Sequence, residues 1–127
     1  MKGEQEKRTD CGFLFEKLEV YQKAVGFAEF VSNLTSGFPW NCRYLGDQFN
    51  RASLSISLNI AEGNGRSSPA DRRHFFTVSR GSAHECVPLI ELCRRRRLLS
   101  DEVCAQLRAD LQLVGRMLSG LIESTRE

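Results

Sequence analysis

Apolar side chains recur at steps of three and four residues along most of this chain, which is the spacing of one face of an α-helix. The pattern predicts helices over about 16–36, 42–62 and 69–97, and a fourth that follows Ser100 and carries its last apolar residue at Ile122. No segment shows the alternation with period two that indicates a strand. Four amphipathic helices joined by short turns pack best antiparallel. We therefore predict an all-α domain over residues 13–125, folded as an up-down-up-down four-helix bundle.

Residues that commonly end or begin helices lie at the predicted boundaries. Gly37 and Pro39 follow the first helix, because glycine suits the position after a helix and proline cannot continue one. Asn41 is expected to cap the second helix and Ser100 the fourth, since their side chains can accept hydrogen bonds from free backbone N–H groups. These signals predict short connections between the helices.

The segment at residues 59–68, NIAEGNGRSS, connects the second and third helices and contains two glycines. It lacks the lysine and the GxxxxGK[ST] spacing of a phosphate-binding loop, and it follows a helix instead of a strand. We therefore interpret it as a corner. Gly63 is predicted to be the C′ residue of the second helix. Ser68 is predicted to cap the third, with Pro69 in its first position and Asp71 as the capping-box acid.

The third helix contains two irregular features. Gly81, Ser82 and Ala83 form a patch of small residues, which would let a neighbouring backbone approach closely. Pro88 removes one backbone donor from the helix. We expect this proline to kink the helix or to end it early.

The charge of the chain is small overall but uneven. The formal net charge is +2, whereas residues 66–97 carry eight arginines against three acids. Residues 1–65 carry 7 basic and 8 acidic side chains, and residues 98–127 carry 3 and 5. A locally basic block can attract polyanions, although the same pattern is also typical of a solvated helix face.

The chain has five cysteines, an odd number, and they form no CxxC pair. Cys86, Cys93 and Cys104 lie within apolar helical patterns. Free cysteine is a common core residue in reducing compartments, so we expect a cytoplasmic protein. No apolar run reaches the ~18 residues that span a membrane. Residues 1–12 lack the apolar segment of a signal peptide, and we predict that they form a disordered leader.

A row of polar residues shares one face of the second helix. Arg51, Ser55, Asn59 and Glu62 follow one another at steps of four, four and three, beside the apolar face. The third helix offers the antiparallel partners Arg72, Arg73, Ser82 and Glu85. We favour a partly buried hydrogen-bond network that fixes the register of the two helices. A ligand or subunit contact is the alternative.

Four consecutive arginines at residues 94–97 are the strongest charge feature of the sequence. The dipole favours cations at a helix C-terminus, and guanidinium groups also suit phosphate. Arg66, Arg72 and Arg73 lie at the other end of the same helix, roughly 40 Å away, with Arg80 between. We predict two separated basic ends. Their candidate nucleic-acid contacts are Arg66, Arg72, Arg73, Arg94, Arg95, Arg96 and Arg97.

No arrangement of residues in the sequence indicates catalysis or a metal site. His74 and His84 are ten residues apart and lack the four-residue spacing of a helical metal pair. The ExxH motif of di-iron bundles is also absent from the sequence. We therefore expect no enzymatic activity, no metal and no cofactor.

Several segments of the chain resemble a known family of four-helix-bundle proteins. The similar segments are FEKLEVYQKA at 15–24, FP at 38–39, LGDQFNRASLSISLNIAEGNGR at 45–66 and GSAHE at 81–85. The family includes proteins encoded in intervening sequences of bacterial large-subunit ribosomal RNA genes. Accessory variability determinants of diversity-generating retroelements are related to it. The resemblance covers about residues 13–123, and R-x-x-x-S-I-x-x-N-I-A-E-G-x-G-R at 51–66 is its most specific part.

This resemblance implies an antiparallel bundle that assembles into a homopentameric ring and has no enzymatic activity. The retroelement relatives bind nucleic acid and a reverse transcriptase through basic surfaces. The residues that match the family signature are Arg51, Ser55, Asn59, Glu62, Gly63, Arg66, Ser82 and Glu85. Two positions depart from the family pattern: Pro88 in the third helix, and Asp71 in place of a capping-box glutamate.

Charge and resemblance together favour a non-enzymatic assembly protein. Its expected partners are copies of itself and RNA, DNA or a nucleoprotein such as a reverse transcriptase complex. A ring would repeat each basic end and so increase the avidity for phosphate groups. The alternative is a protein-interaction scaffold without nucleic-acid binding, in which arginines pair with acids of neighbouring subunits. The 16 acidic residues favour this alternative.

Overall fold

The computed structural model describes residues 13–126, which form four α-helices and two short 3-10 turns. The helices are α1 (Glu19–Thr35), α2 (Arg43–Asn64), α3 (Pro69–Arg95) and α4 (Asp101–Ser124), and the turns are Leu14–Lys17 and Trp40–Cys42. No strand occurs within this range. The prediction of an all-α protein is confirmed. The predicted leader at residues 1–12 lies outside the described residues.

The four helices contact one another in the order in which they follow along the chain. Each helix packs against the next, and α1 also contacts α4. The diagonal pairs, α1 with α3 and α2 with α4, make no close backbone contact in the described part of the chain. A four-helix bundle fits this arrangement, because only neighbouring helices touch around its core.

Contacts between named residues show that α3 runs antiparallel to both of its neighbours. Gly63, near the end of α2, lies beside Phe76, near the start of α3. On the other side, Arg73 reaches Thr125 after α4, whereas Cys104, near the start of α4, lies against Ile90. These pairings decide which surface residues of different helices become neighbours.

Apolar side chains from all four helices form the core. The largest side chains that are almost completely buried are Phe49, Phe76, Ile56, Ile60, Ile90, Leu107 and Leu118. The cysteines predicted to lie in the core, Cys86, Cys93 and Cys104, are buried free thiols, and Cys42 is another. Burial is the main stabilising term for such side chains, at about 1.5–3 kcal/mol for each large one.

Two of the three predicted N-caps are confirmed. The Ser68 hydroxyl accepts a hydrogen bond from the backbone N–H of Asp71 at 3.0 Å, and the Ser100 hydroxyl accepts one from Val103 at 3.1 Å. The prediction for Asn41 is wrong, because this residue lies inside the 3-10 turn that precedes α2. Cys42 occupies the N-cap position of α2 without a side-chain hydrogen bond.

The predicted role of Gly63 as the C′ residue of α2 is also wrong. The helix continues through Asn64, and Gly65 follows as the C-cap with an ordinary φ of −84°. Gly63 is instead buried against α3. A Cβ atom at this position would lie 2.8 Å from Cε1 of Phe76 and 3.0 Å from Cβ of Phe75. The glycine is required by close packing between two helices and not by backbone conformation.

Pro88 does not end α3, contrary to one of the two outcomes expected for it. The helix continues for seven further residues, to Arg95. Pro88 itself is exposed, while Cys86, Ile90 and Cys93 on either side of it are buried. Burial of these neighbours holds the helix together across the missing hydrogen bond, because tertiary packing contributes more to helix stability than one backbone contact.

Candidate functional site

The centre of the predicted polar row forms a hydrogen-bonded contact between α2 and α3. The hydroxyls of Ser55 and Ser82 lie 2.8 Å apart. The Asn59 side-chain amide donates to the Ser55 carbonyl at 2.8 Å and to its hydroxyl at 3.0 Å. The buried Ser79 hydroxyl donates to the Ile56 carbonyl at 2.8 Å, a contact that the sequence pattern did not indicate. The bonds of Asn59 stay within α2, whereas the Ser55–Ser82 and Ser79–Ile56 bonds cross between the helices and support the interpretation that the row fixes helix register.

The outer members of the row do not join this contact. Arg51 donates to Gln48 on its own helix, and Glu62 forms an ion pair with Arg66. Glu85 is exposed, and with Arg51 it lines a shallow groove of about 420 Å³ between α2 and α3. The signature residues therefore divide into a partly buried centre and a charged surface.

Arg66 is held at the corner between α2 and α3. Besides its ion pair with Glu62, its guanidinium carbon lies 4.8 Å from the centre of the Phe75 ring, which is a cation–π arrangement. The side chain of Arg66 remains 44% exposed. It therefore stabilises the corner locally while part of its guanidinium still faces solvent.

The other two arginines at this end differ in their surroundings. The Arg73 guanidinium donates to the backbone carbonyl of Thr125 at 3.1 Å and to its hydroxyl at 3.3 Å. This contact joins the start of α3 to the end of α4. The Nε atom of Arg72 is buried without a hydrogen-bond partner among residues 13–126. Neither side chain is fully exposed.

At the opposite end of α3, Arg94 and Arg95 share one carboxylate. Arg94 Nη2 donates to Glu91 at 2.8 Å, and Arg95 Nε donates to the same oxygen at 2.9 Å. Hydrogen bonds from Arg94 first, and then from Arg95, lower the pKa of Glu91 to about 2. Arg94 also lies 3.8 Å from Asp101. Half of the arginine run is therefore partly neutralised by its own helix and the next one.

Arg96 and Arg97 have structural positions at the end of α3. Arg96 donates to the Tyr44 hydroxyl at 3.4 Å and approaches the Cys42 sulfur at 3.6 Å, which ties this end to the start of α2. Arg97 has a left-handed φ of 60°. The N–H of Arg97 bonds the Arg94 carbonyl at 3.0 Å and the N–H of Leu98 bonds the Cys93 carbonyl at 2.9 Å. Together these two bonds form a Schellman motif.

A groove between α3 and α4 brings further basic residues into the space between the two ends. It has a volume of about 730 Å³, and its basic lining residues are Arg80, His84, Arg108 and Arg116. Arg108 and Arg116 were missed in the sequence because they belong to a segment in which acids outnumber basic residues. Antiparallel packing places them beside the basic third helix. The prediction of two separated basic ends is therefore incomplete, because α3 and α4 also form a basic groove.

The outer surface of α2 and α3 exposes apolar side chains. Leu54, Leu58 and Val78 are exposed, with Leu58 at 58%. Ser55 and Ser82 lie between the two helices at this level, since their hydroxyls are in contact. We call this surface, made of Leu54, Leu58 and Val78, the outer α2–α3 face. Exposed apolar residues grouped in this way commonly mark a contact surface.

Two buried thiols of α3, Cys86 and Cys93, have raised pKa values. Burial first, and then the Glu85 charge, raises the pKa of Cys86 to about 12, and burial raises that of Cys93 to about 11. Such thiols stay protonated at neutral pH and are poor nucleophiles. No group of three metal-ligating side chains occurs among the residues that the structure describes. Within the same range, no helix is both long and apolar enough to cross a membrane.

Comparison with known proteins defines the family to which this protein belongs. Residues 16–120 match the family model of the 23S rRNA-intervening sequence protein, which is most of the chain. The protein therefore belongs to the 23S rRNA-intervening sequence protein family, as the sequence motifs predicted. A search of curated protein sequences finds no match.

A solved structure has the same fold. It is a protein of unknown function from the S23 ribosomal protein family of Bacteroides thetaiotaomicron. The sequences are 24% identical, the match covers 82% of this chain and 95% of the other, and the TM-score is 0.76. At this identity the similarity establishes the fold, and the function must be argued from the surface of this chain.

Proposed function

We propose that this protein is a non-enzymatic assembly protein that forms a homo-oligomeric ring and binds nucleic acid, or a nucleoprotein, through arginine-rich surfaces. The observation that carries the proposal is the combination of an apolar surface and separate basic surfaces on one small bundle. The outer α2–α3 face supports self-association, and the arginines of α3 and α4 support binding to phosphate. Five subunits is the number that the family resemblance favours.

The outer α2–α3 face suits contact with a second copy of the chain. Leu54, Leu58 and Val78 would be removed from water on association, which is the main favourable term in such contacts. Arg51 and Glu85 line the groove between the same two helices, and neither forms an ion pair within residues 13–126. Charges of both signs beside an apolar centre allow one copy to complement another.

Substitution of Leu58 by glutamate tests this part of the proposal. We expect the wild-type protein to sediment as one oligomer at micromolar concentration. The Leu58→Glu variant should dissociate into smaller species, because association would bury its new charge. Val25→Glu is the matched control, since Val25 is also exposed but lies on α1. A wild-type monomer at this concentration would contradict the ring.

Binding to RNA and duplex DNA across a salt series tests the nucleic-acid part. When a protein neutralises phosphates, the logarithm of its binding constant falls linearly with the logarithm of the salt concentration. The slope of this line is about 0.9 for each phosphate contact on duplex DNA. Arg95→Gln with Arg96→Gln should therefore lower the slope by about 2. Trp40 is the only tryptophan, is 88% exposed and lies close along the chain to Cys42, which Arg96 contacts. Its fluorescence can report binding at this end.

A protein-interaction scaffold without nucleic-acid binding is the second candidate. A specific observation favours it: Arg66, Arg94 and Arg95 are already paired with Glu62 or Glu91. Arginines that can form ion pairs within one chain can also do so across a subunit boundary. The salt series separates the two candidates, because the scaffold would form the same oligomer and show no association with RNA or DNA even at low salt.

A further inference from the structure

The groove between α3 and α4 contains a set of side chains that matches one class of ligand. We propose that this groove binds single-stranded nucleic acid, with its arginines on the phosphates and its apolar floor against sugars and bases. The inference rests on the nucleic-acid part of the proposed function. It adds two points to that function. The strand lies on a surface distinct from the two ends of α3, and it is unpaired.

The electrostatics of the groove favour an anion. Arg80, Arg108, Arg116 and His84 line it, and no acidic residue does so in the described chain. None of the three arginines takes part in an ion pair among residues 13–126. The Arg80 guanidinium donates to the Ser119 hydroxyl at 3.1 Å, a neutral partner that orients the group and leaves its charge uncompensated. Uncompensated guanidinium groups suit phosphate oxygens.

The spacing of these charges favours a ligand with repeated phosphates. Arg108 and Arg116 are eight residues apart on one helix, which is about 12 Å along its axis. Arg80 lies across the groove, near Ser119. A single phosphate could reach only part of this array, whereas successive phosphates of a polynucleotide could contact all of it.

The shape and floor of the groove favour a single strand over a duplex. Ala83, Val87, Leu111 and Gly115 supply apolar and small groups to the lining. A Cβ atom added at Gly115 would meet no atom within 4 Å, so there is open space at this point. Packed helices lie only about 8–10 Å apart, so a groove between them is too narrow for a duplex to enter. An unpaired strand can place sugars and bases against such a floor.

Binding of labelled single-stranded RNA and DNA, followed by fluorescence anisotropy, tests the assignment. The variant Arg80→Gln/Arg108→Gln/Arg116→Gln should lose about tenfold or more in affinity at low salt. The loss of three single-strand phosphate contacts should lower the salt slope by about 2. The control Lys23→Gln/Arg43→Gln/Arg126→Gln removes the same charge elsewhere and should change affinity much less. Thermal melting of both variants checks that they remain folded.

A second variant blocks the groove and leaves every charge in place. Gly115→Leu directs a side chain into the open space and should not disturb α4, because leucine favours helix more than glycine does. We expect it to weaken single-strand binding several-fold and to leave duplex binding unchanged. Competition with a free mononucleotide tests whether the groove recognises a single nucleoside phosphate or a strand. A strand-binding groove should prefer the oligonucleotide by a large factor.

Different outcomes overturn the groove and the wider proposal. Wild-type binding that neither the triple variant nor Gly115→Leu weakens would overturn the groove and leave the nucleic-acid function standing. A mononucleotide that binds as tightly as the oligonucleotide, with the same dependence on Arg80, Arg108 and Arg116, would overturn the assignment to a strand. Absence of any association with RNA or DNA at low salt would instead overturn the nucleic-acid function itself.

Discussion

At the scale of single residues, Gly63 shows how one signal can have two structural explanations. A glycine near the end of an apolar helical pattern predicts a helix stop. In the structure it lies within α2, two residues before the C-cap Gly65, and its missing side chain leaves room for the Phe76 ring. Gly63, a residue of the family signature, therefore serves a packing contact, and α2 ends with Gly65 as its C-cap.

Replacing this glycine should distinguish close packing from backbone freedom. Gly63→Ala should destabilise the protein by about 1–3 kcal/mol, because the added methyl group overpacks the contact with Phe76. Gly120→Ala is the control, since nothing lies within 4 Å of its added Cβ atom. It should stabilise the protein by about 0.5–1 kcal/mol through helix propensity. Urea unfolding of the two variants measures both values, and equal stability changes would contradict this explanation.

At the scale of elements, the end of α3 combines a structural and a charged role. Arg97 occupies the left-handed position of the Schellman motif, where glycine is the usual residue. Arg94 and Arg95 interact with Glu91, and Arg96 with α2. A run of four arginines that looks uniform in sequence therefore contains side chains with three different environments.

Substitutions at two adjacent positions should have opposite effects on stability. Arg97→Gly should stabilise the protein by about 0.5–1 kcal/mol, because a non-glycine residue in the left-handed region is strained by about 1–2 kcal/mol and the greater freedom of unfolded glycine offsets part of the gain. Arg95→Gly removes the same charge from a helical position and should destabilise by a similar amount. Thermal unfolding measures both. A stabilising Arg95→Gly would show that charge, and not conformation, dominates at this helix end.

At the scale of the whole molecule, antiparallel packing creates surfaces that no single helix has. Arg80 comes from α3 and Arg116 from α4, and they face one groove only because those helices lie side by side. Leu58 and Val78 form the outer α2–α3 face for the same reason. The two proposed activities, self-association and strand binding, therefore use different pairs of helices and can be removed by separate substitutions.

The sequence by itself determined the fold class, the family and most helix ends. Helical periodicity, the caps Ser68 and Ser100, and the 51–66 motif are local patterns, and local patterns can be read along one chain. The tertiary structure alone decided the role of Gly63, the continuation of α3 through Pro88 and the basic groove between α3 and α4. Each of these depends on which residue of another helix lies opposite, and that register is set by packing across the core.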